Sequence, residues 1–243
     1  MNGPGPPLEV RALIDAEPVA ADDSDGLGGW LQRLCRTAAR ALAVEAAGIS
    51  VMPSMGEAAR LAASGPRAAD LEQLQFTLGE GPCQDAYELG RPVLVPDLAE
   101  AALSRWPGYA PAVLERSVLA VFAFPLQVGT AKLGVLDIYR ESVGSLSAAS
   151  VVQALAFAAV ATAGLIDSQD PTLSRRSEGV GWDDALPVSA ELYQAQGMVQ
   201  VQLGVPLDEA MIRIRAYAFA EGRNLLEVAR DIVARKIALD DEA

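Results

Sequence analysis

The sequence predicts an α+β protein: an N-terminal domain built on an antiparallel sheet with flanking helices, followed by a C-terminal module of three short helices. Three observations predict it. Two continuous apolar runs, residues 118–126 and 132–139, are joined through Gln127, Gly129 and Thr130, the mark of a hairpin buried on at least one face. Upstream, segments with helical periodicity alternate with short strand-like runs, the pattern of a sheet with helices packed on it. At the C-terminal end, three apolar-periodic segments are punctuated by Gly204 and Gly222, where left-handed helix ends are favoured.

Composition narrows the function. A length of 243 residues accommodates one large or two ordinary domains, and 51% apolar residues supply a core. No stretch is read as reaching the roughly 18 uncharged apolar residues of a membrane span. The N-terminus lacks the basic patch and apolar run of a secretory signal, so a cytoplasmic protein is expected. A net charge of −13 excludes a generally basic, DNA-coating protein. The absence of histidine excludes a histidine general base, histidine-ligated haem and histidine-containing zinc sites. Cys35 and Cys83 cannot make a four-cysteine site, and a disulfide between them is not expected. With no nucleophile–base pair or phosphate loop in view, neither an enzyme nor a cofactor is expected. Lys132 and Lys236 are the only lysines, so arginine, the better residue for planar two-pronged contacts, supplies almost all the positive charge.

In chain order, residues 1–26 carry six acidic residues, four prolines and one arginine, and are expected to be a disordered acidic tail. Residues 29–47 form a helix opening at Gly29 and ending at Ala47, with Leu31, Leu34, Cys35 and Ala38 inward and Gly48 closing it. Strands follow at residues 49–52 and 57–63, then a helix over 67–78. Gly79 and Gly81 permit a tight turn, and Pro82 suits the first position of a helix that Gly90 ends. A short strand at 93–95 precedes one or two short helices over 98–116. Residues 145–167 form a long helix, capped by Ser145 or Ser147 and ending at Asp167, apolar nearly all round and expected to be buried on more than one side.

On this pattern, residues 28–166 resemble a GAF sensor domain. The segment LGEGPCQDAYELGRPVLVPDL, residues 78–98, resembles the form found in actinobacterial GAF regulators. The domain is drawn at 27–167, followed by a polar linker at 168–187 whose one large apolar residue is Trp182. The resemblance implies a sensor or dimerisation module and leaves a small-molecule ligand open. Cys83 reads as a buried structural thiol, because neighbouring Glu80 and Asp85 supply no charge that would activate it.

The three C-terminal helices occupy residues 188–239. Ser189 is placed to cap the first, whose inner face holds Leu192, Ala195, Val199 and Leu203. The second begins near Leu207 with Asp208 and Glu209 in its first turn, and Asn224 caps the third. The unit resembles the ANTAR RNA-binding domain through Ala195, Gln196, Gly197 and Met198, then Leu203 and Val205, Glu209 and Ala210, Ile214 and Arg215, and finally Leu225, Val228, Ala229, Ile232 and Val233. It departs from that pattern at Gln196, commonly lysine, and at Pro206, commonly a small polar cap. The resemblance implies a transcription antitermination regulator that binds paired hairpins in nascent leader RNA. Residues 188–243 hold six basic against nine acidic residues, so RNA affinity requires clustered arginines. The candidate RNA-binding residues are Gln196, Gly197, Arg213, Arg215, Arg223, Asn224, Arg230 and Arg235. Ile212, Ala216 and Phe219 lie away from the core stripe of the second helix and are open to packing within the chain or to a partner. A homodimer is expected through the helices at 29–47 and 145–167. The alternative reading is a small-molecule sensor whose C-terminal helices bind a protein rather than RNA.

Overall fold

A computed structural model describes residues 6–21, 23–52, 59–101, 104–167 and 186–239. The helices are α1 (Pro6–Asp15), α2 (Gly26–Ala41), α3 (Pro66–Leu78), α4 (Pro82–Leu89), α5 (Leu98–Ala101), α6 (Tyr109–Leu114), α7 (Ala148–Asp167), α8 (Leu186–Leu203), α9 (Leu207–Ala220) and α10 (Leu225–Val233). The strands are β1 (Ala46–Val51), β2 (Ala59–Ala63), β3 (Val93–Val95), β4 (Ala120–Val128) and β5 (Ala131–Arg140). They form one sheet in the order β2-β1-β5-β4-β3, antiparallel throughout.

The pleat sends alternate residues to two covered faces. Ile49, Phe122, Phe124, Leu136 and Ile138 pack on α2 and α7, joined by Val10 and Ile14 of α1. Val121, Ala123, Val135 and Tyr139 face the layer of α3, α4 and α6, whose apolar cluster continues into α8, α9 and α10. Both faces being covered explains why β4 and β5 read as nearly continuous apolar runs, interrupted in β5 by Asp137.

Four expectations are corrected. Helix α2 stops at Ala41, not Ala47: Ala43 turns into the left-handed region (φ 52°), and Ala46 and Ala47 pair with Tyr139 and Ile138 of β5. The alanines' helical propensity yields to a sheet ladder, and Gly48, expected to end the helix, lies inside β1. There it makes room for α3, since a Cβ on it would sit 2.5 Å from Glu72 Oε1. The acidic N-terminal segment, expected to be disordered, contains α1, with Val10 and Ile14 buried. Helix α8 starts at Leu186, before the expected cap at Ser189; the rest of the expected linker, Trp182 included, lies outside the described residues. Finally, α7 is apolar and long enough to cross a membrane by length and composition, contrary to the sequence reading. Here it is a core helix, burying Ala154, Phe157, Ala161 and Leu165 against the sheet, with Ser147 Oγ accepting from the Ser150 N–H at 3.0 Å as its cap.

The tail is tied down by charge as well as by Val10 and Ile14. Asp23 accepts from both terminal nitrogens of Arg36, at 2.6 and 2.8 Å, and Glu17 pairs with Arg40. The hydrogen bond from Arg36 holds the Asp23 carboxyl at about 2.

Candidate functional site

Two regions gather polar chemistry. The first is enclosed between the sheet and α3. Ser50 on β1 and Asp137 and Tyr139 on β5 point to the α3 side, while Glu72 and Gln75 share one face of α3 by their i,i+3 spacing. All five are buried. Glu72 accepts from Ser50 Oγ at 2.5 Å and from the Tyr139 hydroxyl at 2.7 Å. The same hydroxyl oxygen accepts from Gln75 Nε2 at 2.8 Å, and Gln75 Oε1 accepts the backbone N–H of Cys83 at 3.0 Å.

This network accounts for the glycine-rich turn after α3. Gly79 is the left-handed cap of α3 (φ 67°). Gly81 (φ 133°) lies so close to Gln75 that a Cβ would come within 2.5 Å of its Oε1. Between them, Glu80 accepts the backbone N–H groups of Gly108 and Tyr109, each at 2.7 Å, and so anchors the start of α6.

At the centre, Asp137 sits against the Cys83 thiol and the Gln75 amide. Neither of its oxygens completes a hydrogen bond of good geometry with the described residues, nor do Tyr109 Oη and Trp106 Nε1. Burial, then the charge of Glu72, holds the Asp137 carboxyl well above the usual range. Burial, followed by Asp137 and Glu72, also raises the Cys83 thiol, so it is a protonated structural group and not a reactive thiolate. Buried polar atoms without partners are what a bound polar molecule or ordered water would satisfy. Sequence reading missed this centre. The signal was Asp137, a carboxyl inside an apolar strand, which had to be paired or neutral.

The second region is the surface of α8–α10, which separates the predicted RNA-binding residues. Gln196 is corrected: it is buried, and its Nε2 donates to the Leu207 carbonyl at 2.7 Å, fastening α8 to the start of α9. Arg213 pairs with Glu209 one turn away at 2.9 Å. Arg230 joins α10 to α8 through Glu191 at 2.6 Å. Arg223 pairs with Asp231 at 2.6 Å, and that hydrogen bond raises the arginine and lowers the acid. Asn224 caps α10, accepting from the Leu226 N–H at 2.8 Å. Arg215 lies over Gly79, where a Cβ would come within 2.3 Å of its Nη1.

Two pairs do come together. Gly197 and Arg235 line one groove of about 600 Å³ with Met198, Val201 and Ile232. Arg223 and Asn224 border another, against α3. Ile212 and Ala216 are exposed, whereas half-exposed Phe219 lines that second groove. Among the described residues, no group of three or more acids and cysteines is arranged to hold a metal.

An antiparallel sheet with a helix bundle on one face and short helices over a polar centre on the other defines a two-faced α+β domain. A family model for the GAF domain matches residues 27–166, and the chain belongs to that family, a class of signal-sensing and ligand-binding modules. Among solved structures, the GAF domain of a phosphoenolpyruvate-protein phosphotransferase from Coxiella burnetii is similar, at 17% identity and a TM-score of 0.52 over 68% of this chain and 92% of that one. GAF3 of Slr1393 from Synechocystis, in its photoproduct state, is 16% identical with a TM-score of 0.51, over 62% of this chain and 99% of that one. These likenesses show the fold. No curated protein matches the chain.

Proposed function

We propose that the protein is a signal-responsive RNA-binding regulator of transcription antitermination, in which the GAF domain senses and α8–α10, an ANTAR module, bind hairpins in nascent leader RNA. The observation that carries this reading is the groove shared by Gly197, part of the ANTAR-like motif of α8, and Arg235, one of the candidate RNA-binding arginines. A Cβ on Gly197 would meet nothing within 4 Å, so a ligand backbone can approach closely, and exposed Arg235 is placed to meet phosphate. The protein works in the cytoplasm by binding, without turnover or cofactor. In a titration of full-length protein, a paired-hairpin leader RNA binds more tightly than a scrambled-loop control, and affinity falls as salt rises. Equal affinity for the two RNAs sinks the reading.

The regulator acts as a homodimer. Val152, Leu155, Ala159 and Ile166 stand exposed along one face of α7 at spacings of three, four and seven residues, the heptad register of a coiled-coil seam with buried Thr162 at the skipped position. Helix α2, the second helix expected at the dimer seam, contributes less than its sequence suggests, because Glu17 and Asp23 cover its outer side through Arg36 and Arg40. Pairing two output modules makes the second hairpin contact intramolecular and raises avidity by roughly 10²–10⁴-fold. Sedimentation velocity should show a dimer that Leu155→Glu converts to a monomer; a monomeric parent protein ends the proposal.

A second reading is supported by Val201, 83% exposed, and Ile212, 56% exposed: a small-molecule sensor whose C-terminal helices bind a protein. It expects no salt-dependent RNA affinity, and binding of a purified partner that is lost in Ile212→Glu.

A further inference from the structure

The two parts of the chain meet where α9 packs on α3. Beside that contact lies a cleft of about 320 Å³, within the range of small-ligand sites. Its α3 wall carries Asp70 and Gln73; the α9–α10 corner supplies Phe219, Arg223 and Asn224, and Arg116 adds a second guanidinium.

The walls differ in hydrogen-bonding character. Gln73 gives one Nε2–H to Thr77 at 3.3 Å and keeps its carbonyl oxygen and a second N–H, while the exposed Asp70 carboxylate offers acceptors. Opposite, Asn224 spends its oxygen on the Leu226 N–H, which leaves its amide NH₂. Arg223 is held by Asp231 at 2.6 Å and Arg116 by the Ala112 carbonyl at 2.7 Å, each with further N–H donors. One cleft therefore holds the Asp70 carboxylate together with the guanidinium and amide donors of Arg223, Arg116 and Asn224, and the Phe219 ring, 48% exposed, offers a flat apolar surface beside them.

Unstacked bases are recognised by stacking on aromatic rings and hydrogen bonding along their edges. Guanine fits this distribution. Its Watson–Crick edge presents two adjacent donors, N1–H and the 2-amino group, to a carboxylate, and its O6 and N7 accept from an arginine. Adenine offers only its 6-amino group on that edge, beside an acceptor. We propose that the cleft between α3 and the α9–α10 corner is a guanine site, with Asp70 reading the N1–H and 2-amino edge, Arg223 meeting O6 and N7, and Phe219 stacking on the ring. The base comes from a hairpin loop or from a free guanine nucleotide; the first source rests on the RNA reading above, the second does not. On either source, the sensor domain itself contributes to base recognition.

The experiment uses the full chain in two arms. One titrates hairpin RNAs identical but for a single loop position, guanine or inosine, the latter lacking the 2-amino group. The other titrates GMP against AMP. Asp70→Asn and Phe219→Ala are compared with the parent after thermal melts show both fold. Guanine should be favoured about tenfold in one arm, the scale of one base contact. Asp70→Asn should abolish the preference, and Phe219→Ala should weaken binding of both members of the pair. A preference in the RNA arm assigns the base to RNA; one confined to the GMP arm assigns it to a free nucleotide. Equal binding within both pairs, or a preference that survives Asp70→Asn, overturns the guanine site. RNA that binds with no preference at the loop position leaves the RNA reading intact, whereas failure of every RNA removes that reading and leaves the GMP arm to decide the site.

Discussion

Asp137 is a residue whose ionisation works against the fold. Glu72, Cys83, Tyr109 and Tyr139 surround it, and all four are buried with it. Because its folded pKa lies above the ordinary carboxyl value, the native state holds a proton that the unfolded chain releases. Its contribution is fully present below about pH 4 and is lost as pH rises through the raised value. Asp137→Asn keeps the shape and removes the ionisation. The variant should be more stable than the parent at pH 7, because there the folded parent holds a proton that its unfolded chain releases. The gain should shrink toward pH 4. Urea melts at the two pH values measure both, and a variant no more stable at pH 7 contradicts the assignment of a strained carboxyl.

At the scale of elements, the N-terminal segment is held by a charge clasp. Asp23 and Glu17 grip Arg36 and Arg40 of α2, while Arg11 reaches Asp167 at the end of α7 at 3.8 Å. The folded pKa of Asp23 is lowered from 3.8 to about 2, so the clasp's contribution is present above about pH 4 and is lost as pH falls toward 2. Hydrogen exchange, corrected for intrinsic rates, should show α1 losing protection in that window ahead of the sheet. Asp23→Asn should show the loss already at neutral pH; protection of α1 that is independent of pH and of this substitution would contradict the clasp. The same scale explains why α7 looks like a span yet serves as a core helix. Gly164 lets Trp30 of α2 lie against it, a Cβ there coming within 2.5 Å of the ring, and the sheet covers the neighbouring side.

Across the whole molecule, α3 is the shared element. Its buried face holds Glu72 and Gln75 in the polar centre, its outer side receives α9, and its C-terminal cap lies under Arg215. A positive charge at a helix C-terminus is favourable. Arg215→Ala should therefore loosen the seating of the C-terminal module without unfolding the sheet. Small-angle scattering should report a larger radius of gyration, with the thermal midpoint of the GAF domain unchanged. An unaltered radius would show that apolar packing alone seats the module.

Local backbone rules made much of the fold legible. The helix ends at Gly90, Gly204 and Gly222, the turn at Gly79, Pro82 at a helix start and Asn224 as a cap depend on a few consecutive residues, and each is found where the sequence placed it. The hairpin of β4 and β5 was legible because its two apolar runs adjoin. What only the tertiary structure decided depends on distant partners. Gly48 became a strand residue because Glu72, far along the chain, packs over it. Asp137 passed for one polar interruption in a strand until Cys83 and Gln75 closed on it. Gln196 looked like an exposed contact until α9 turned back and took its amide. Arg213 meets Glu209 within its own helix and Arg223 meets Asp231 eight residues on, but the acid that claims Arg230 and the glycine beneath Arg215 are set by how the helices cross. Periodicity fixes which side of a helix is apolar; the crossing of helices, each packed by burial on several others at once, fixes which polar groups are spent and which remain for a ligand.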